Sequence, residues 1–274
     1  MESGIQDSGF VDGSRQLNPD SRTVQLIVAY DGTAFHGFQR LKHGRTVQGV
    51  LEAAWLSVTG ETARLTGAGR TDAGVHALGQ SISLRTEARI PIERIPRAMN
   101  GRLPADIMVR RAHERRDGFH ARFSATQRTY RYFVRRCGRP SLFWDRYSLR
   151  ETGALDVPAM RETAAGLLGT HDFRSFGLPQ PDRSSLRDLR SVRFREWRGW
   201  LIISLTANAF LKGMARSLAA QFLEVGRGEA SPLEIWTRLH ACDRGVAGKA
   251  APPNGLFLAR VEYGSIEFRV PGSE

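Results

Sequence analysis

Gly67-Ala68-Gly69-Arg70-Thr71-Asp72-Ala73-Gly74-Val75-His76-Ala77 packs one carboxylate, one guanidinium and three glycines into eleven residues, between two segments that read as strands. Glycine serves where backbone must take unusual dihedrals or approach another group closely. The loop can therefore present Asp72 at the surface of a sheet instead of burying it. In an extended segment residues i and i+2 share a face, so Arg70 is expected to reach the Asp72 carboxylate or the anion that the carboxylate attacks. A neighbouring cation favours the charged form of a carboxyl group, which suits a nucleophile or base and suits a general acid poorly. Read locally, the same residues also fit a structural Asx-turn with Arg70 as its surface partner.

Strands and helices alternate outward from this loop. Val24, Leu26, Val28 and Tyr30 alternate with Gln25, Ile27 and Ala29 as in a strand, and Val47, Leu51, Ala54, Trp55 and Val58 recur at helical spacing. Residues 80–86, 107–111 and 126–136 read as further strands. Asp156 can cap a helix that stops at Gly169. Residues 192–197 and 200–207 form a hairpin turning at Arg198-Gly199. Leu211, Met214, Ala215, Leu218 and Phe222 make the apolar stripe of a helix ending at Gly226, and Arg216 lies off that stripe. Ser231-Pro232-Leu233-Glu234 has the form of a capping box, and a strand from Leu256 to Tyr263 follows.

Composition bounds the partners. The chain has 274 residues and a formal net charge of +12, with 40 basic residues of which only Lys42, Lys212 and Lys249 are lysine. That length suits one large or two smaller domains, and that charge favours a polyanion. No apolar run approaches the ~18 residues of a membrane span. Cys137 and Cys242 give no zinc spacing and no disulfide framework, which fits a reducing, cytoplasmic setting. Residues 1–23, with Glu2, Asp7, Asp12 and Asp20 among Ser and Gly, read as a disordered tail without the marks of a secretory or mitochondrial leader.

Gly69-Arg70-Thr71-Asp72-Ala73-Gly74-Val75-His76-Ala77 resembles the signature of the bacterial tRNA pseudouridine synthase I family. The likeness runs through Ala29-Tyr30-Asp31-Gly32-Thr33-Ala34-Phe35-His36-Gly37-Phe38-Gln39-Arg40, Phe119-His120-Ala121-Arg122-Phe123, Tyr130-Arg131-Tyr132, Asn208-Ala209-Phe210 with Arg216, and Gly255-Leu256-Phe257-Leu258. It implies the α+β pseudouridine synthase fold: two similar halves, residues 24–116 and 117–270, joined in a continuous, mainly antiparallel sheet with the active-site cleft between them. It also implies isomerisation of uridine to pseudouridine in the tRNA anticodon arm, at positions 38, 39 and 40, by a homodimer without metal or organic cofactor.

By the same resemblance Asp72 is the reacting carboxylate, Arg70 orients it and Tyr130 covers the uracil. Arg216 binds substrate through phosphate or the space left by a flipped base, and Leu256 walls the uracil pocket. Read bottom-up, Arg216 can equally be a solvated helix residue, Tyr130 and Leu256 plain packing. The family often carries Trp at Phe38 and Asn at Ser217, departures that bear on how RNA is held. His36, His76 and His120 are assigned no acid–base work. Arg40, Lys42, Arg45, Arg122, Arg128 and Arg131 either line an RNA path or are ordinary solvated charges. A pseudouridine synthase for another RNA and a silent RNA-binding protein are the alternatives. A glycoside hydrolase would bring two carboxylates to the scissile bond, and only Asp72 fits that role.

Overall fold

Apolar alternation in the first hundred residues builds strands whose inner face needs a helical cover. The computed structural model describes residues 21–181 and 183–264. β1 (Arg22–Tyr30) leads through a single turn of 3-10 helix into α1 (Val47–Thr59), capped by the Thr46 hydroxyl, which accepts from Gly49 N–H. β2 (Thr66–Gly67) and β3 (His76–Thr86) flank the Asp72 loop, and α2 (Ile95–Asn100) precedes β4 (Ile107–Arg115). Val24, Leu26, Val28, Ile82 and Leu84 bury one face of these strands with Leu51, Trp55 and Met99 of the helices.

The chain continues through β5 (Ala125–Arg136), β6 (Leu149–Glu151), α3 (Val157–Leu167), β7 (Gly169–Asp172), β8 (Leu186–Trp197) and β9 (Trp200–Ala207). α4 (Met214–Gly226), α5 (Pro232–Ala241) and β10 (Leu256–Tyr263) complete it. Asp156 caps α3, and both hydrogen bonds of the Ser231–Glu234 capping box form on α5. The β8–β9 turn has φ of 44° at Arg198 and 80° at Gly199, the two left-handed positions that match the twist of a two-residue hairpin.

The described strands form one sheet in the order β4-β1-β3-β10-β5-β9-β8-β7, with β2 on β3 and β6 on β5. Pairing is antiparallel except at β3–β10, where Phe257 and Leu258 lie beside His76 and Ala77, and at β5–β6. The α+β class and the continuous, mainly antiparallel sheet are as the sequence implied. Leu201, Ile203 and Leu205 of β9, opposite Val134, Tyr132 and Tyr130 of β5, bury the face on which α3 and α4 pack.

The start of β1 differs from expectation. β1 begins at Arg22, whose guanidinium pairs with Glu114 and donates to the Ala88 carbonyl, so the strand takes in residues assigned to the tail. The rest of the tail reading, residues 1–20, lies outside the described residues. α2, β6 and β7 were not anticipated, being too short to show a period.

Candidate active site

The Asp72 loop is held from beneath by the turn that follows β1. Phe38 N–H donates to the Thr71 carbonyl at 3.0 Å, and the Tyr30 hydroxyl lies 2.8 Å from Thr71 Oγ1. The fit demands glycine at two places. A Cβ on Gly32 would stand 2.1 Å from the Val75 carbonyl oxygen, and Gly37, at φ +97°, would put one 2.9 Å from that of Thr71. Gln80 ties the other side by donating to the Gly69 carbonyl at 2.7 Å.

Asp72 leaves this cradle half-buried and meets a cation from far along the chain. Arg216, in the first turn of α4, brings Nη1 to 3.7 Å from Asp72 Oδ2. Its Nε donates to the Ala251 carbonyl at 2.7 Å, and Ala251 N–H donates back to the Arg216 carbonyl at 3.1 Å. Arg216 is thus tied to Ala251 through both its side chain and its backbone. Arg70 is exposed and, among the described residues, makes no ion pair with Asp72. The expectation that it reaches the carboxylate fails because β2 ends at Gly67 and residues 68–75 form an irregular loop, where the i, i+2 rule of an extended strand does not hold.

Tyr130 comes up beside the loop from β5. A Cβ on Gly69 would lie 3.8 Å from its hydroxyl, and Phe210 packs edge-on to its ring at 4.9 Å. Burial pushes its phenol well above the ordinary tyrosine range, and the nearby Tyr30 and Asp72 add to this against the opposing Arg128. Burial likewise pushes Tyr30 up to about 12. Leu256 is buried opposite Tyr132, with Leu258 opposite Tyr130, so all four side chains share one face of the sheet. The structure therefore brings Asp72, Arg216 and Tyr130 together, with Leu256 one register step away and Arg70 at the rim.

Several motif residues serve the scaffold. Arg128 donates to four carbonyls: Nη1 to Ala125 at 3.0 Å and Asn208 at 2.7 Å, Nη2 to Ala68 at 3.0 Å and Arg122 at 2.5 Å. Arg45 makes a two-pronged pair with Asp106 at 2.5 and 2.7 Å. Neither guanidinium is a solvated charge. Phe38 is buried against Gly67 and Ser217 is buried within α4, so these departures alter packing beneath the site and not a surface open to RNA.

A strap that sequence reading passed over closes the other face. Asp31 accepts from the Tyr147 hydroxyl and pairs with Arg146, both at 2.9 Å, and takes bonds from Thr33 N–H and hydroxyl. Burial raises its pKa, yet the Thr33 and Tyr147 bonds and the nearby His76 outweigh that and leave it below the usual range. His76 stacks on Phe257 at 4.5 Å and accepts Gly32 N–H on Nδ1 at 3.0 Å. Burial lowers its pKa against the raising effect of Asp31, so the ring is neutral at pH 7. The 3.2 Å approach of Asp31 Oδ1 is then a contact and not an ion pair. The signal was in the sequence, since Tyr30-Asp31-Gly32 belongs to a quoted motif, but nothing there paired Asp31 with Tyr147.

Asp72 on its glycine-supported loop, Arg216 and Tyr130 thus lie where β3, β5 and α4 converge. The family description for tRNA pseudouridine synthase fits residues 26–124 and 163–264, and the chain belongs to that family. Proteins named tRNA pseudouridine synthase A are similar along nearly the whole chain. That of Exiguobacterium sp. is 38% identical over 247 residues, covering 90% of this chain and 100% of the relative. Those of Chloroflexus aurantiacus and Anoxybacillus flavithermus are each 42% identical, covering 88% of this chain and 89% and 99% of the relatives. A solved H/ACA RNP bound to a substrate RNA containing 2'-deoxyuridine overlaps 78% of this chain and 51% of its own at TM-score 0.32 and 11% identity.

Proposed function

We propose that this chain converts uridine to pseudouridine at positions 38, 39 and 40 of the tRNA anticodon arm, with Asp72 as the reacting carboxylate. Family membership carries the coarser statement, an isomerase acting on tRNA. The Asp72–Arg216 pair beside the buried Tyr130 is the observation that supports Asp72 as the reacting carboxylate. In the reaction the N1–C1′ bond of uridine breaks, the uracil turns without leaving, and a C5–C1′ bond forms. The C5 proton departs and N1 ends protonated. Asp72 either attacks C1′ or removes the C2′ proton.

Arg216 faces the carboxylate at 3.7 Å, so the orienting part passes from Arg70 to Arg216. Arg70, exposed at the rim, takes RNA phosphate. A phenol raised like that of Tyr130 is a poor base at neutral pH; its ring covers the uracil and its hydroxyl donates. Leu256 supplies apolar wall on the same sheet face. None of these steps calls for a metal or organic cofactor.

The halves 24–116 and 117–270 meet at this site, the first giving Asp72 and the second Arg216 and Tyr130. The working form is a cytoplasmic homodimer, since one short basic platform covers little of an L-shaped RNA. Light scattering at micromolar concentration tests this, and an active monomer overturns it.

Asp72→Asn is the test of the chemistry. It keeps the side chain's shape and removes its charge, whereas RNA is held chiefly by cations and stacking. Release of tritium from C5-labelled uridine in tRNA should vanish while affinity stays within a few-fold of wild type. Wild-type turnover by the folded variant would remove Asp72 from the mechanism.

A further inference from the structure

The turn after Phe119 presents an aromatic ring where a folded core would not leave one. Phe123 is 67% exposed. It stacks on the His120 ring, centroid to centroid 4.4 Å, with the Arg122 guanidinium 5.6 Å and the Arg183 guanidinium 5.9 Å from its centre. His120 is locked beneath it, Nδ1 accepting the N–H groups of Arg122 and Phe123 at 3.1 and 3.2 Å.

Charge gathers around the ring without compensation. Burial and then the charges of Arg183, Arg70, Arg128 and Arg187 depress the Arg122 pKa, and no carboxylate opposes them. Among the described residues Arg70, Arg122 and Arg183 have no carboxylate partner. Among the described residues the Arg122 guanidinium donates to Gln180 Oε1, at 3.0 Å. Like charges are crowded in this way where an anion is to be bound.

The patch is fixed relative to the reacting carboxylate. One guanidinium nitrogen of Arg128 bonds both the Arg122 carbonyl and that of Ala68, joining the turn to the loop that carries Arg70 and Asp72. Ala121 N–H adds a bond to Ser83 Oγ in β3 at 3.0 Å. A rigid aromatic beside unpaired guanidiniums has the chemistry that takes one nucleotide of a single strand, its base on the ring and its phosphate on the cations.

We propose that Phe123, Arg122 and Arg183 form a nucleotide subsite beside the catalytic loop, stacking a base next to the target uridine and holding its phosphate. The proposal rests on the RNA-substrate reading above and assigns where the strand adjoining the flipped base is gripped. Stacking there would help hold the RNA open while the uridine is extruded.

Binding of a tRNA transcript to wild type, Phe123→Ala, Phe123→Tyr and Arg183→Gln tests it, with tritium release measured on the same preparations and circular dichroism confirming the fold. Phe123→Ala should weaken binding about tenfold, raising KM with kcat little changed, and Phe123→Tyr should restore it. Arg183→Gln should lower the slope of log affinity against log salt by about one phosphate, roughly 0.7 to 0.9. Phe123→Ala binding within twofold of wild type, or a loss that Phe123→Tyr does not recover, overturns the stacking. An unchanged salt slope overturns the phosphate contact. Absence of tritium release from wild type would remove the pseudouridylation reading and leave the binding comparison to judge the subsite alone.

Discussion

Asp72 and Arg216 stand 144 residues apart and meet because a backbone carbonyl aims the guanidinium. Removing Arg216 leaves the carboxylate in place without the cation that orients it. Arg216→Ala should therefore lower kcat by about 10- to 100-fold, the scale of a misplaced catalytic group, with tRNA affinity little changed. Arg216→Lys keeps the charge but cannot both donate to Ala251 and face Asp72 with a planar fork, so its kcat should lie between. Separate measurement of kcat and binding decides the point: a loss confined to affinity would make Arg216 an RNA contact. Asp72 stood out in the sequence because it lies among three glycines beside an arginine. Its partner did not, since no local spacing encodes a contact between a loop and a distant helix. Arg128 was missed for a related reason. A charged residue in an alternating strand reads as solvated, and only the tertiary structure supplies the four carbonyls that bury it.

Elements with a period were readable and those without one were not. α1, α3, α4, α5 and the long strands follow from apolar spacing and caps, whereas α2, β6 and β7 owe their form to the strands and helices they lie against. The turn after β1 carries the most exacting local demand. Gly37→Ala would force a side chain into the left-handed region and against the Thr71 carbonyl, at a cost of about 1 to 3 kcal/mol. Thermal unfolding should shift down by several degrees. Because Thr71 adjoins Asp72, kcat should fall by more than the loss of folded protein explains; an unchanged Tm and kcat would mean that the turn relaxes without disturbing the loop.

For the whole molecule, burial lowers the pKa of His76, His113 and His120, with Arg146, Arg115, Arg111 and Arg122 pressing the same way. Each of these rings binds a proton more readily unfolded, where its pKa is ~6.5. Their stabilising effect is complete above that value and is lost as pH falls through it toward the folded pKa values. Tm should thus decline from pH 7 to pH 5. His120→Asn, whose Oδ1 can accept the two N–H groups that Nδ1 now takes, should flatten the decline, and an identical profile would assign it to other groups. β10 has a different consequence, one of timing. It lies mid-sheet between β3 and β5 yet is the last described strand to be synthesised, and at ~5 to 20 residues per second the ribosome takes roughly 6 to 24 s to pass from the end of β5 to its start. During that interval Asp72 exists, but Leu256 and the Ala251 carbonyl that holds Arg216 do not, and β3 and β5 are open edges. A chain terminated before β10 should consequently lack the assembled Asp72–Arg216 pair, and its tritium release should fall far below that of the chain that includes the strand.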